Sequence, residues 1–138
     1  MTLEKIIIKA SNIKPGNIYL PGSKSITNRI LLLASLSWGE TKISNMLFSD
    51  DTMIMISSLQ KLGIDISFNE SDKTCFVQGS SNFFPNKNLE LYLGNAGTAM
   101  RPLTAVLAFN NGNYLLHGTS RMHERPIGDL VNSLNEIG

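Results

Sequence analysis

The spacing of apolar residues along the first part of the chain predicts two helices. Leucine and isoleucine recur at helical spacing over residues 25–36, and this run ends at a Trp-Gly turn. A second run opens at Ser-Asp-Asp, residues 49–51, where a hydroxyl and two acids suit the first turn of a helix. This second helix is expected to continue to about residue 62 and to stop at Gly63.

Short apolar or alternating stretches predict the strands around these helices. They cover residues 6–8, 18–20, 41–46, 64–68 and 74–78. The last two flank a polar stretch, which is typical of a hairpin. From residue 18 onward the expected order is therefore strand, helix, strand, helix, strand, strand, a βαβαββ unit.

The second part of the chain repeats this order. A polar connector at residues 80–88 is followed by a predicted strand, helix, strand and helix. These cover residues 89–93, 97–109 and 113–117 and a final helix ending near residue 137. The Tyr-Leu pair of the first unit returns at residues 92–93, and Gly39 returns as Gly112. Repeated units of mixed helix and strand place the chain in the α+β (α/β) class, and the second unit lacks its closing hairpin, so we expect the chain to be part of a larger protein.

Composition narrows the classes of function. The 138 residues carry a formal net charge of +1, which gives no overall field for binding nucleic acid or an anionic membrane. No apolar run approaches the roughly 20 residues of a membrane helix, and the first residues do not resemble a secretion signal. The one cysteine, Cys75, excludes an internal disulfide and suits core packing, while the two histidines lack metal-ligand spacing. We expect a cytoplasmic protein without a metal site.

The first chemical motif is Pro-Gly-Ser-Lys-Ser-Ile-Thr-Asn-Arg at residues 21–29. Gly22 permits close approach of the backbone, and a helix start offers free N–H groups and a partial positive charge. Lys24 adds a mobile cation, and Arg29 follows Ser25 by one helical turn, so both can face one anion. The motif predicts a phosphate or carboxylate site, although its spacing is not that of a Walker loop. A plain helix cap with a solvated lysine is the alternative.

The second motif, Leu-Gly-Asn-Ala-Gly-Thr-Ala-Met-Arg-Pro at residues 93–102, occupies the equivalent turn of the second unit. Its glycines permit a tight turn, and Thr98 suits the cap of the following helix. Pro102 suits the first helical turn, where its missing N–H is not needed. Each unit is thus expected to present one helix start to an anion. In the alternative interpretation the turn is purely structural and Arg101 lies on the surface.

The third motif, Ser-Arg-Met-His-Glu-Arg-Pro-Ile-Gly at residues 120–128, places Arg121 and Arg125 at the start of another predicted helix. The chain has four arginines, at positions 29, 101, 121 and 125, and all lie in the three motifs. Because guanidinium suits bidentate binding of phosphate and carboxylate, this distribution predicts a ligand with more than one anionic group. His123 beside Glu124 is a candidate acid or base, or only a solvated neighbour, and its role stays open.

The three motifs and the Ser-Asp-Asp at residues 49–51 closely resemble, in order and spacing, those of the 5-enolpyruvylshikimate-3-phosphate synthase family. The resemblance covers essentially the whole chain. It implies a much longer protein with two domains, each made of three βαβαββ units in an inverse α/β barrel arrangement that is incomplete here. Residues 1–16 would be a strand segment of the domain completed by the C-terminal half. Residues 17–138 would be part of the other, substrate-binding domain, with unit one at 17–79 and incomplete unit two at 89–138.

The resemblance also implies a reaction and its residues. The family transfers the enolpyruvyl group of phosphoenolpyruvate to the 5-hydroxyl of shikimate 3-phosphate and releases phosphate, without a cofactor. Lys24 looks like the catalytic lysine, which contacts both substrates. Shikimate 3-phosphate would be bound by Lys24, Ser25 and Arg29, and phosphoenolpyruvate by Lys24, Asn95, Gly97 and Arg125. In Gly97 the missing side chain would leave room for the ligand. Behind these would lie Thr98, Arg101, Pro102 and Arg121.

Further expectations and alternatives accompany this resemblance. The full-length protein is expected to be a monomer whose partners are the two small-molecule substrates, with neither nucleic acid nor membrane. The chain alone is expected to be inactive, because the family's acid/base carboxylates and further cationic residues lie beyond Gly138. One alternative is a non-catalytic phosphate-binding module that needs the C-terminal half. The other is the related UDP-N-acetylglucosamine enolpyruvyl transferase family, which the absence of a cysteine before Arg125 disfavours.

Overall fold

A computed structural model describes residues 6–7, 9–10, 12 and 14–138 of the chain. Within these residues, five helices and five strands follow one another. In order they are α1 (Lys24–Leu36), β1 (Glu40–Ser44), α2 (Asp50–Lys61), β2 (Asp65–Asn69), β3 (Thr74–Gln78), β4 (Leu89–Tyr92), α3 (Gly97–Ala108), β5 (Tyr114–His117), α4 (Ser120–His123) and α5 (Gly128–Glu136). Mixed helices and strands confirm the α/β class predicted from the apolar pattern.

Two small sheets accompany the helices. The first has the strand order β1-β3-β2, and both pairings are antiparallel, which confirms the predicted hairpin between β2 and β3. The second contains β4 and β5, which pair in parallel with Leu89 opposite Tyr114. Parallel strands need a crossover connection, and α3 provides it.

One continuous apolar core joins the two units. The apolar faces of α1, α2 and α3 pack against one another and against both sheets. Fully buried side chains from different elements meet there; they include Leu31, Met55, Leu59, Val77, Leu91 and Leu103. Cys75 is also fully buried in this core, as expected, and burial raises the pKa of its thiol to about 11.

The strand predicted at residues 18–20 is wrong for this structure. These residues lie outside any strand, and Ile18, Tyr19 and Leu20 are at least three-quarters exposed. A strand exists only with a hydrogen-bonded neighbour, and no described residue pairs with this segment. In the strand predicted at residues 6–8, Ile8 lies outside the described residues. Ile6 and Ile7 are exposed and belong to no strand.

The C-terminal helices also differ from the expectation. The third motif does not open one helix, because α4 ends at His123 and α5 begins only at Gly128. Pro126 separates them, since its ring and its missing N–H disfavour an uninterrupted helix. Arg121 therefore lies on α4, whereas Arg125 lies in the turn between the two helices.

Over the described residues, no helix has both the length and the apolar run that crossing a bilayer requires. The fold instead brings the N-terminal ends of α1, α2 and α3 to one place. Lys24 is the first residue of α1, Asp51 the second of α2 and Thr98 the second of α3. Their side chains are bonded to one another.

Candidate functional site

Side chains from three helix starts meet around the carboxylate of Asp51. Lys24 Nζ lies 3.0 Å from Asp51 Oδ2, and the Thr98 hydroxyl donates to the same oxygen at 3.3 Å. Asn28, one turn after Lys24 on α1, donates from Nδ2 to Thr98 Oγ1 at 2.8 Å. These bonds connect α1, α2 and α3 directly at their N-terminal ends.

Local sequence fixes where each of these helices begins. The Ser23 side chain accepts a hydrogen bond from the N–H of Ile26 at 3.4 Å, so Ser23 caps α1, as one interpretation of the first motif expected. At the start of α2, the Ser49 N–H donates to Thr52 Oγ1 at 2.8 Å. The buried Thr52 thereby satisfies a donor that would otherwise lack a partner.

An open cavity of about 200 Å³ lies between the starts of α1 and α3. It is lined by Ser25, Arg29, Gly97, Thr98, Arg101 and Pro102. The first two come from the first motif and the other four from the second. The two motifs that the sequence places in different units therefore face one cavity.

A second cavity, of about 180 Å³, adjoins the first. Gly97 and Arg101 line both cavities. The rest of the second cavity's lining is Met100, Leu116, His117, Met122, His123, Arg125, Pro126 and Ile127. Arg101 Nη2 donates to the carbonyl of Pro126 at 2.8 Å and so holds the turn that carries Arg125. Three of the four arginines thus border the two cavities.

The Arg125 guanidinium lies directly over Gly97. A Cβ atom built at Gly97 would overlap Arg125 Nη1, so only glycine permits this approach. The sequence pattern predicted only that Gly97 permits a tight turn, and the family resemblance implied that its missing side chain leaves room for a ligand. In this structure the guanidinium occupies that space.

The remaining candidates lie at different distances from the cavities. Asn95 is exposed in the turn before α3, where its carbonyl accepts from the Gly97 N–H at 3.0 Å. Arg121 is exposed on α4 and lines neither cavity. The Nε2 atom of His117, on the wall of the second cavity, lies 2.9 Å from Glu90 Oε1.

Among the described residues, no three His, Cys, Asp or Glu side chains form a group that could hold a metal ion.

Two details of the second motif differ from the prediction. The residue that caps α3 is Ala96, and Thr98 lies inside the helix, where its hydroxyl bonds to Asp51. Pro102 is the sixth residue of α3 and lies beyond the first turn. Because proline has no N–H, the carbonyl of Thr98 lacks the helical bond that residue 102 would otherwise donate.

The sequence analysis predicted no role in the site for Asp51 or Asn28. The sequence pattern identified Asp51 only as an acid of the first turn of α2, and Asn28 only as a member of the first motif. Their contact with Thr98 joins residues 70 and 47 positions apart. A single sequence offers no local signal for such a contact, because it depends on how three helices pack.

With this geometry described, comparisons with known proteins give the family. The model of the family described as EPSP synthase (3-phosphoshikimate 1-carboxyvinyltransferase) matches residues 8–138. Curated relatives with the name 3-phosphoshikimate 1-carboxyvinyltransferase are 57% identical in Paraburkholderia phymatum and 56% identical in Burkholderia multivorans. Each match extends over 123 residues and covers 89% of this chain. The chain spans only 28% of the length of these relatives.

Solved structures agree on the fold. Two structures of EPSP synthase from Acinetobacter baumannii superpose with a TM-score of 0.82 at 22% identity. The superposition covers 89% of this chain and 28% of theirs. The fold shared with these structures and the family match over residues 8–138 lead to one conclusion: this chain belongs to the EPSP synthase family.

Proposed function

We propose that this chain provides part of the active site of a 3-phosphoshikimate 1-carboxyvinyltransferase. In the proposed reaction, the enolpyruvyl group of phosphoenolpyruvate is transferred to the 5-hydroxyl of shikimate 3-phosphate and phosphate leaves, a step of aromatic amino acid biosynthesis. One observation carries the proposal: the starts of α1 and α3 and three arginines border two adjoining cavities. Both substrates are phosphorylated anions, and each needs such a site.

The proposed roles follow the two cavities. Ser25 and Arg29, in the cavity between α1 and α3, bind shikimate 3-phosphate together with Lys24. Asn95, Gly97 and Arg125 bind phosphoenolpyruvate, again with Lys24, whose ammonium stabilises charge that develops between the substrates. Thr98, Arg101, Pro102 and Arg121 are the proposed supporting residues. The first three also line the cavity between α1 and α3, whereas Arg121 lines neither cavity. The bond from Arg101 to the Pro126 carbonyl supports its role, because it fixes the turn of Arg125.

The setting of this activity is proposed on the same basis. Residues 17–138 belong to a substrate-binding domain, and residues 1–16 belong with the second domain of the whole protein. The whole protein is a cytoplasmic monomer that uses no cofactor and binds neither nucleic acid nor membrane. A formal net charge of +1 supports the absence of a nucleic-acid partner, because such binding relies on an excess of basic residues.

Ligand titration of the isotope-labelled chain tests the proposal. We expect shikimate 3-phosphate to shift the amide resonances of Lys24, Ser25 and Arg29. Replacement of Arg29 by glutamine removes a cation from the cavity and should weaken this binding about tenfold or more, as the loss of a charge-assisted hydrogen bond does. The exposed Lys42 on β1 lies away from both cavities, so Lys42→Gln is the matched control.

The same titration discriminates between the two transferase families. UDP-N-acetylglucosamine should leave these resonances unchanged and should not displace shikimate 3-phosphate. Displacement by the UDP-sugar would favour the alternative family's substrate. If neither ligand produced shifts at these residues in a folded chain, the proposed substrate site would be contradicted.

A further inference from the structure

Four side chains form an unbroken series of polar contacts from the core to the surface. Asn28 is fully buried, whereas the side chains of Asp51 and Lys24 are 23% and 46% exposed. The contacts run from Asn28 to Thr98, from Thr98 to Asp51 and from Asp51 to Lys24. Three helices contribute to this series, so the position of the lysine depends on all three.

Hydrogen-bonding capacity fixes the direction of the series. An ionised carboxylate only accepts, so the Thr98 hydroxyl must donate its proton to Asp51. The lone pairs of Thr98 Oγ1 are then open to a donor, and Asn28 supplies one from Nδ2. Asn28 Oδ1 has no partner among the described residues, so the amide is held by its donor side alone.

The lysine end of the series is free to bind a ligand. An ammonium group has three N–H donors, and the described contacts of Lys24 use one of them, toward Asp51. The long stem of lysine otherwise samples many rotamers, and ordering it at the moment of binding would cost free energy. A carboxylate that is itself held by Thr98 removes much of this cost in advance.

We propose that Asp51 is a positioning residue, which holds the Lys24 ammonium toward the phosphorylated substrate and is itself held by Thr98 and Asn28. The substrate-facing part of this inference rests on the proposed function. Asp51 touches neither substrate in this scheme and acts through Lys24. Asp50, its neighbour in the first turn of α2, carries the same charge but is exposed and takes part in none of these contacts. Asp50→Asn is therefore a control matched in charge and in helix position.

The first experiment measures the order of the Lys24 side chain. In lysine-labelled chain, we expect the two Hε protons of Lys24 to have distinct shifts, because the ammonium is fixed on one side. Asp51→Asn should merge these shifts, and Asp50→Asn should preserve them. Thr98→Val removes both the donor to Asp51 and the acceptor of Asn28 Nδ2, and it should reduce the separation. It also provides a second test if Asp51→Asn lowers the stability of the fold. Unchanged Lys24 shifts in Asp51→Asn would overturn the proposal.

The second experiment measures binding of shikimate 3-phosphate. Relative to Asp50→Asn, Asp51→Asn should weaken binding about three- to tenfold, although both variants lose one negative charge. In a Lys24→Met background the two aspartate variants should bind equally, because nothing remains to be positioned. A defect of Asp51→Asn that persisted undiminished in this background would show a role in the fold alone and would overturn the proposal.

The outcomes separate this inference from the proposed function. Failure of the proposed function gives no ligand-dependent shifts in the unsubstituted chain. Failure of the present inference gives normal binding in the unsubstituted chain and equal affinities for the two aspartate variants. The Lys24 Hε shifts need no ligand and therefore decide the positioning of the lysine in either case.

Discussion

Gly97 illustrates how a single missing side chain shapes the site. Its backbone lies against the Arg125 guanidinium, and a Cβ atom there would overlap Nη1. In Gly97→Ala we expect Arg125 to move away from the start of α3 and binding of phosphoenolpyruvate to weaken about tenfold or more, because a charge-assisted bond to the ligand is lost or misaligned. Titration of the labelled chain, followed at the Arg125 Nε–Hε resonance, measures both effects.

Gly128 provides the control for this substitution. It opens α5, and an added Cβ atom there would meet nothing within 4 Å. Gly128→Ala should therefore leave Arg125 and ligand binding unchanged. Equal affinities for the two alanine variants would contradict the inferred dependence of Arg125 on Gly97.

Burial of Cys75 predicts both its reactivity and a pH dependence of stability. With a pKa of about 11, the thiol is about one part in a thousand ionised at pH 8, so thiol reagents should modify it only after unfolding. The folded chain retains this proton while the unfolded chain, with a pKa near 9.0, loses it. Stability should therefore fall between pH 9 and 11, by at most about 1.4 kcal/mol per pH unit.

Denaturant titrations at several pH values test this dependence against Cys75→Ala. The alanine variant lacks the titrating thiol, so its stability should fall less steeply over the same range. Parallel curves for the two proteins, or rapid modification of the native thiol, would show that Cys75 is accessible and not protected by the core.

Residue types alone were sufficient to identify several residues that line the cavities, but not the residues that support them. Ser25, Arg29 and Gly97 follow from their motifs, since small residues and arginine at helix starts suit anions. The bond from Arg101 to the Pro126 carbonyl and the carboxylate of Asp51 depend on how α2, α3 and the turn after α4 pack. Such partners carry no local pattern that a single sequence reveals.

At the scale of elements, helices were easier to predict than strands. The bounds of α1, α2 and α3 agree with the apolar spacing to within about one or two residues, because a buried helical stripe is visible in the sequence. A strand also needs a partner, and residues 18–20 have none among the described residues. The sequence analysis also predicted one helix through Pro126. In the structure, the missing N–H and the ring of this proline separate α4 from α5.

The start of α2 yields a prediction at this scale. Thr52→Val keeps the shape of the side chain but removes the acceptor of the Ser49 N–H. We expect a loss of about 1–2 kcal/mol of unfolding free energy, because a partly buried donor then lacks a partner. Urea denaturation measures the loss.

Thr104→Val is the matched control for this substitution. The Thr104 hydroxyl donates to the Met100 carbonyl inside α3, and that contact caps no helix end. Its removal should cost less than the Thr52 change, since no backbone N–H loses its acceptor. A larger cost for Thr104→Val would contradict the importance of the cap at Ser49.

At the scale of the whole molecule, the described residues leave a large apolar surface in contact with solvent. Ile26 and Leu33, on one side of α1, are more than half exposed, and Trp38 just beyond the helix is 86% exposed. Exposed apolar patches of this kind commonly mark surfaces that pack against other protein. The chain also spans only 28% of its curated relatives, so much of the relatives' length has no counterpart in it.

Catalysis of the proposed transfer depends on groups that surround both substrates at once, and the two cavities are open to solvent. Positioning and electrostatic stabilisation each supply a large share of the rate of such a reaction. We therefore expect the 138-residue chain alone to release no phosphate from shikimate 3-phosphate and phosphoenolpyruvate. A coupled phosphate assay on the purified chain measures this, and release that depended on shikimate 3-phosphate would contradict it.

A chimera between this chain and a relative tests whether these residues are active when the rest of the protein is present. The 123 matched residues of this chain can replace their counterparts in the Paraburkholderia phymatum relative, which is 57% identical there. The chimera should transfer the enolpyruvyl group, because the residues around the two cavities then face the rest of a complete site. Lys24→Met in the chimera should abolish transfer, whereas Asp50→Asn should leave it. A chimera that folds and binds shikimate 3-phosphate but transfers nothing would show that these residues do not complete the relative's site.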